Sequence, residues 1–171
     1  MPRYYRYKRY YKKVYPRKRW ASNLKLDQTQ LRVHSGGASA VSISTICKNS
    51  SEDSNPTPTI LKFGRLKLKG DIRSPVNNVA NFTSSNIYVI FVPEGATCDS
   101  QFILRHPEYI IAWSTLSLDS GNSFSISSSL KRNLNSGDKI QVFFSVDTTT
   151  PPQSEIFFNI SWTAQFWTTT A

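Results

Sequence analysis

The last part of the chain alternates apolar and polar side chains, and this pattern strongly limits what the chain can fold into. Over eleven residues every second position is apolar: Ile156, Phe158, Ile160, Trp162, Ala164 and Phe166. A period of two places these side chains on one face of an extended strand, whereas a helix would spread them around its axis. We therefore predict a long strand with one buried face.

Shorter runs of the same character recur from Leu24 onward, separated by turn-forming residues. Residues 41–45 alternate apolar side chains with serines, as in a half-buried strand, whereas residues 87–92 and 109–113 are continuously apolar, as in strands buried on both faces. No window predicts a long amphipathic helix. About eight strands with loops of varied length predict an all-β antiparallel sandwich or jelly roll.

Residues 60–69 form a further predicted strand in which the alternation changes phase. Leu61 and Phe63 share one face, whereas Leu66 and Leu68 would fall on the other. One extra residue at Gly64 would restore a single apolar face, so we predict a β-bulge there. The bulge would bring four cations onto the opposite face: Lys62, Arg65, Lys67 and Lys69. Such a face could meet a nucleic acid, or it could be the solvent side of an edge strand protected by lysine.

The charge of the chain is concentrated at its N-terminus. The net charge is +10, yet residues 1–20 hold five arginines, four lysines and no acidic residue. The rest of the chain holds twelve basic and eleven acidic residues and is almost neutral. We therefore divide the chain into a basic arm, residues 1–23, and a body, residues 24–171, with different roles.

The composition of the arm favours binding to single-stranded nucleic acid. Cations neutralise phosphates and release counterions, and tyrosine rings stack on unpaired bases. The predicted phosphate-binding residues are Arg3, Arg6, Lys8, Arg9, Lys12, Lys13, Arg17, Lys18 and Arg19. The predicted stacking residues are Tyr4, Tyr5, Tyr7, Tyr10, Tyr11 and Tyr15. Alternatively, the arm is a solvated tail that aids solubility or nuclear import, and its Lys-Arg density also suits a nuclear-localisation signal.

The sequence contains no motif for catalysis or for a cofactor. His34 and His106 belong to no acid–base or nucleophile motif, and no Cys/His cluster has the spacing of metal ligands. Cys47 and Cys98 lie far apart and are expected to be small buried thiols. No apolar run is long enough to cross a membrane. We therefore expect a protein that is not an enzyme, binds no metal and does not insert into membranes.

Three stretches of the body, together with the arm, resemble the coat proteins of small circular single-stranded DNA viruses, the circovirus-like or CRESS-DNA group. Residues 88–95, YVIFVPEG, look like a strand end common in these capsids, and residues 110–113, IIAW, look like their next strand. Residues 127–140, SSSLKRNLNSGDKI, look like a segment between two late strands of these coats.

The resemblance implies a jelly roll that assembles, in about sixty copies with T=1 symmetry, around a circular single-stranded DNA genome. It also implies a virion protein that enters the host nucleus, with a nuclear import receptor and a cell-surface receptor as partners. Two other functions remain open from the residues alone. One is a cellular single-strand-binding barrel with a basic tail, and the other is a lectin-like jelly roll.

Overall fold

A computed structural model of the protein describes residues 19–50, 59–73, 82–116, 118 and 122–170, and within them the chain is built almost entirely of β-strands. The strands are β1 Ala21–Val33, β2 Ser39–Lys48, β3 Leu61–Arg73, β4 Phe82–Val92, β5 Ile110–Thr115, β6 Ser123–Ser128, β7 Arg132–Leu134, β8 Lys139–Thr148 and β9 Ile156–Thr170. A short helix, α1 Ser100–Arg105, and a 3-10 turn, Pro107–Tyr109, precede β5. The first strand thus begins at Ala21, inside the range assigned to the arm.

The strands form two antiparallel sheets with the connectivity of a jelly roll. The five-stranded sheet has the order β1-β9-β3-β6, with β7 also pairing to β3, and the four-stranded sheet has the order β2-β8-β4-β5. The first strand of the chain, β1, pairs with the last, β9, and the second, β2, pairs with β8. Strands from the middle of the chain complete each sheet. This is a long antiparallel ribbon rolled into two sheets, so the predicted jelly roll is confirmed.

The long alternation near the C-terminus forms β9, the second strand of the five-stranded sheet. Its even-numbered residues from Phe158 to Phe166 are buried, as predicted. Phe166 stacks on Phe63 of β3 with ring centroids 5.4 Å apart. Burying each large apolar side chain contributes about 1.5–3 kcal/mol, which explains why this strand has a single stable register.

The bulge predicted in β3 is present. The register of β3 against β9 shifts between Gly64 and Leu66, so Arg65 is the extra residue. Arg65 has a φ of 40°, in the left-handed region that costs a non-glycine residue about 1–2 kcal/mol. After the bulge Leu66 and Leu68 point into the core with Phe63, as the sequence pattern required.

In β2 the prediction of the buried face was wrong. Val41 and Ile43 lie on the outer face, 48% and 39% exposed, whereas Ala40 and Ile46 are buried. A register shift between Thr45 and Cys47 changes the phase of the strand. Near β1 the inner side is occupied by small hydroxyl side chains instead, and Ser42 is hydrogen-bonded to Thr29 at 2.6 Å. Small polar residues thus fill the narrow edge between the sheets.

Residues 87–92 are largely buried on both faces of the four-stranded sheet, as predicted. Ile87 and Val89 join the main core, whereas Ile90 and Val92 pack in a second cluster with Ile103 of α1. The helix was not predicted, although Asp99 caps it by accepting a 2.6 Å hydrogen bond from the Phe102 N–H.

The prediction that residues 109–113 are buried on both faces fails in part. Trp113 in β5 is 63% exposed because α1 covers only one portion of the outer face. β6 ends at Ser128, and Leu130, just beyond it, is exposed.

Asp138, in the turn at residues 135–138, connects this turn to two other loops through its buried carboxylate and its backbone carbonyl. Asp138 is 5% exposed, and its two oxygens accept hydrogen bonds from the backbone N–H groups of Glu94, at 3.0 Å, and Asn135, at 2.8 Å. Its own carbonyl accepts from the Asn49 N–H at 2.9 Å. Gly137 adopts a φ of 81°, which the tight turn requires.

Replacing Asp138 with asparagine should lower the free energy of unfolding by about 1.5 kcal/mol, because the amide NH₂ cannot accept one of the two backbone hydrogen bonds. The midpoint of urea unfolding measures this loss. Asp99→Asn is the matched control, since asparagine caps a helix as well as aspartate does. Equal stability of the Asp138→Asn variant and the original chain would contradict the assigned role.

Candidate nucleic-acid interface

The outer face of the five-stranded sheet carries the four basic residues that the sequence placed opposite the core. We call this group, Lys62, Arg65, Lys67 and Lys69 of β3, the cationic face. Arg65, Lys67 and Lys69 are exposed, and Lys62 is half-buried. β3 pairs with β9 on one side and with β6 and β7 on the other. Because β3 is an internal strand, protection of a sheet edge does not explain its cations.

The cross-strand neighbours of Lys67 and Lys69 are polar and uncharged. Lys67 lies between Gln165 of β9 and Ser127 of β6, and Lys69 lies between Thr163 and Ser125. The side chains of these two lysines are longer than the hydroxyl and amide side chains beside them, and together they form a shallow positively charged surface. Polyanions are attracted to such a surface, and the hydroxyls and amides can donate hydrogen bonds to phosphate oxygens.

Two described acidic side chains at the margins of this sheet are paired with arginines, whereas Asp27 of β1 accepts a 2.9 Å hydrogen bond from the Gln28 N–H. Asp71 accepts a 3.0 Å bond from Arg73, and Glu155 accepts a 2.5 Å bond from Arg32. The hydrogen bond from Arg32 lowers the pKa of the Glu155 carboxyl below its usual value. No described carboxylate forms an ion pair with the four residues of the cationic face, so their charge remains available to a ligand.

A cleft lined by two tryptophans lies at one end of this face, beside the bulge. This tryptophan cleft has a volume of about 340 Å³. Its lining residues are Trp20, Gly64, Arg65, Ser129, Lys131 and Trp167. The Lys131 Nζ lies 5.7 Å from the ring centroid of Trp20, and the Arg65 guanidinium carbon lies 6.0 Å from that of Trp167. Both indole rings are thus paired with a cation at distances typical of cation–π contacts.

The arm enters the body at this cleft. Trp20 precedes β1 directly, and two of its ring atoms lie 3.0 Å from where a Cβ on Gly64 would stand. Arg19 is exposed beside it. The other predicted arm residues, Arg3 to Lys18 and Tyr4 to Tyr15, lie outside the described residues. The structure therefore brings the end of the arm to the same side of the sandwich as the cationic face.

Sequence reasoning missed Trp167 and Lys131. The signal for Trp167 was present, because its odd number places it outward in the alternation that buries Trp162 and Phe166. Lys131 had no such signal, because its position depends on the loop between β6 and β7.

The opposite face of the sandwich has a different chemistry. Ile43, Phe143, Tyr88 and Trp113 are cross-strand partners in one row across the four-stranded sheet. The row exposes apolar surface at Ile43 and Trp113, and α1 covers Phe143. The two broad faces of the body thus differ in their charged side chains. The cations of β3 lie on the outer face of the five-stranded sheet, which also exposes Leu24 and Leu26 of β1, whereas the row across the other sheet is uncharged.

The remaining candidates for chemistry are surface pairs and buried thiols. His34 lies 3.4 Å from Glu155 and His106 lies 3.0 Å from Glu108, at exposed positions. Cys47 and Cys98 are free, as expected, and burial raises the pKa of each thiol to about 11. The described part of the chain holds no cluster of three metal-ligating side chains. Among the same residues, no helix is both long and apolar enough to span a bilayer.

Comparison with known proteins finds similar three-dimensional structures but no match in sequence. No family model and no curated protein matches the chain. The 60-mer BFDV capsid protein is 10% identical, with 89% of this chain and 94% of that chain covered and a TM-score of 0.39. The decameric BFDV capsid protein is 14% identical, with coverages of 90% and 99% and a TM-score of 0.37. A chain from maize chlorotic mottle virus is 9% identical, with coverages of 84% and 92% and a TM-score of 0.37. These low identities and scores leave the family open.

Proposed function

We propose that this chain is the coat protein of a small circovirus-like virus. Its bodies assemble into an icosahedral shell around a circular single-stranded DNA genome, and its arms bind that genome. One observation carries the proposal. Trp20, the arm residue directly before β1, packs on the outer face of the sheet that also bears Lys67 and Lys69. The arm and the cationic face can therefore meet one polyanion on one side of the body.

The two different faces of the body support this role. A shell wall has an inner surface that meets the genome and an outer surface that does not. The five-stranded sheet suits the inner surface because Lys67 and Lys69 lie between polar, uncharged side chains of the adjacent strands. A rigid sandwich with most of its strand edges paired also suits a building block that must pack against copies of itself.

The distribution of charge supports the same role. The body is nearly neutral, with twelve basic and eleven acidic residues after residue 20, so neighbouring bodies would repel each other little. About sixty arms would bring on the order of five hundred positive charges to the interior, a useful fraction of the phosphates in a small genome. In an empty shell those arms would repel one another, so genome binding and assembly are coupled.

The proposal also covers location and partners. The protein is a component of the virion and passes through the host nucleus during assembly, where the Lys-Arg density of the arm would serve an import receptor. A host-cell surface receptor would contact the outside of the shell.

Electron microscopy of the full chain expressed alone, together with the ratio of absorbance at 260 and 280 nm, tests the proposal. We expect uniform closed shells that contain nucleic acid, because the arms recruit any available polyanion. Particles that remain small over a range of salt and protein concentrations would contradict the coat function. They would favour a single-strand-binding module, whereas glycan binding by such a small species would favour a lectin-like protein.

A further inference from the structure

The tryptophan cleft combines features that a solvent-exposed bulge does not need. Two indole rings and two cations line it, and none of its six lining residues is acidic. Neither Arg65 nor Lys131 forms an ion pair with a described carboxylate. Flat aromatic faces beside cations that no carboxylate neutralises are the elements that hold a base and its phosphates in single-strand-binding proteins. The volume of about 340 Å³ lies within the range of small-ligand sites.

Gly64 makes the cleft possible. A Cβ at this position would stand 3.0 Å from two ring atoms of Trp20 and 3.4 Å from the Lys131 Cγ. With no side chain there, Trp20 lies over the backbone of β3, next to the β9 position of Trp167, which is the register partner of Gly64. The two indoles are therefore brought side by side on one surface.

Arg65 adopts an unfavourable backbone conformation at the cleft. Its φ of 40° is one that glycine or asparagine adopts more readily than arginine. The bulge alone would be formed more easily by either of those residues. The arginine instead places a guanidinium over Trp167, 6.0 Å from the ring centroid. Strain kept at a position that presents a charged group is an indication of a binding role.

We propose that the tryptophan cleft binds one unpaired nucleobase. The base stacks on the indole faces of Trp20 and Trp167, and the phosphates on either side of it bind Arg65 and Lys131. Duplex nucleic acid is excluded because its bases are already stacked on each other. The inference rests on the proposed function and deepens it, since it assigns a base-binding site to the place where the arm joins the body.

Photochemical cross-linking of the full chain tests this assignment. The probe is a single-stranded oligothymidylate of about twenty nucleotides that carries 5-iodouracil, which reacts with aromatic side chains in contact with it. Mass spectrometry of the peptides locates the adducts. We expect adducts at Trp20 and Trp167, and none at Trp113, which lies on the opposite sheet, or at the buried Trp162.

The other outcomes separate the two proposals. Adducts confined to the arm tyrosines, with none at Trp20 or Trp167, would overturn the cleft and leave the packaging function standing. Equal adducts at Trp113 and Trp167 would overturn the cleft as well. An absence of adducts at every residue of the chain would overturn both.

A set of substitutions in the full chain gives a second test. Trp167→Leu should weaken binding of the oligothymidylate by about 5- to 100-fold without changing the slope of affinity against salt, because stacking releases no ions. Trp113→Leu, the matched control, should leave affinity unchanged. Unaltered affinity of a folded Trp167→Leu variant would contradict the proposal.

Arg65→Asn and Lys131→Gln keep the test valid if the Trp167→Leu variant does not fold. Both lie outside the core, and asparagine tolerates the left-handed conformation. Each should lower the salt slope by about 0.7 for a single strand, and Arg65→Asn should leave the unfolding midpoint unchanged or raised. A lowered midpoint together with an unchanged salt slope would mean that Arg65 acts only in the fold.

Discussion

Full-length chains in which the arm cations are replaced by glutamine should lose most of their packaged nucleic acid while the body remains folded. The eight positions are Arg3, Arg6, Lys8, Arg9, Lys12, Lys13, Arg17 and Lys18. Each cation that engages a phosphate of a single strand contributes about 0.7 to the slope of log affinity against log salt. Loss of all eight should reduce the slope by about 5.6 and weaken binding at moderate salt by roughly a thousandfold.

Two measurements on the purified protein check this result: the ratio of absorbance at 260 and 280 nm, and the affinity for an oligonucleotide over a range of salt. Lys67→Gln combined with Lys69→Gln, on the cationic face, should lower the slope by about 1.4 if both lysines engage phosphates. Lys139→Gln is the matched control because β8 carries Lys139 in the other sheet. Undiminished packaging by the arm variant would assign genome binding to the body alone.

The sequence was sufficient to predict the buried face of those strands that have one face toward the core and the other toward solvent. In β9 the even-numbered residues from Phe158 to Phe166 are apolar and face the core, and the odd-numbered residues between them are polar, so the period of two is undisturbed there. The bulge in β3 could be predicted for the same reason, since only an extra residue reconciles Phe63 with Leu66. Where both faces are partly covered, or where the core side is narrow, the alternation no longer identifies the buried face.

β2 and β5 show how this failure arises. On the inner side of β2 Ser42 is hydrogen-bonded to Thr29 of β1, so the alternate residues Val41 and Ile43 point outward although they are apolar. The helix α1 covers Phe143 of β8 but leaves Trp113 of β5 exposed, and the local sequence of β5 does not indicate where that helix lies. Both outcomes depend on contacts between distant segments.

The sequence likewise predicted only part of the candidate site. The cations of β3 could be assigned to one face from the alternation, once the bulge was placed. The tryptophan cleft could not, because it joins segments around Trp20, Gly64, Ser129 and Trp167 that the fold alone brings together. The residues of the arm outside the described ranges keep their roles as predictions from composition.

Replacing Gly70 with alanine should destabilise the body by about 3 kcal/mol, the largest effect on stability that we expect from a single methyl group. Gly70 lies in β3 between Phe124 of β6 and Trp162 of β9. A Cβ on Gly70 would stand 2.3 Å from the Ser161 carbonyl oxygen and 2.5 Å from the Phe124 Cζ. The carbonyl belongs to the neighbouring strand, and Phe124 packs edge-on against Phe144 at 6.0 Å, so neither can withdraw freely.

The midpoint of urea unfolding, measured under conditions in which both proteins are unassembled, gives the size of this effect. For a chain of this length it corresponds to a fall of roughly 6–12 °C in the thermal midpoint. Gly95→Ala is the matched control, because Gly95 has a φ of 75° and a Cβ there would meet no atom within 4 Å. That variant should lose only about 1 kcal/mol, the cost of the left-handed conformation. If Gly70→Ala cost no more than the control, the close packing of β3, β6 and β9 would be wrong, and with it the surface on which the cationic face is arranged.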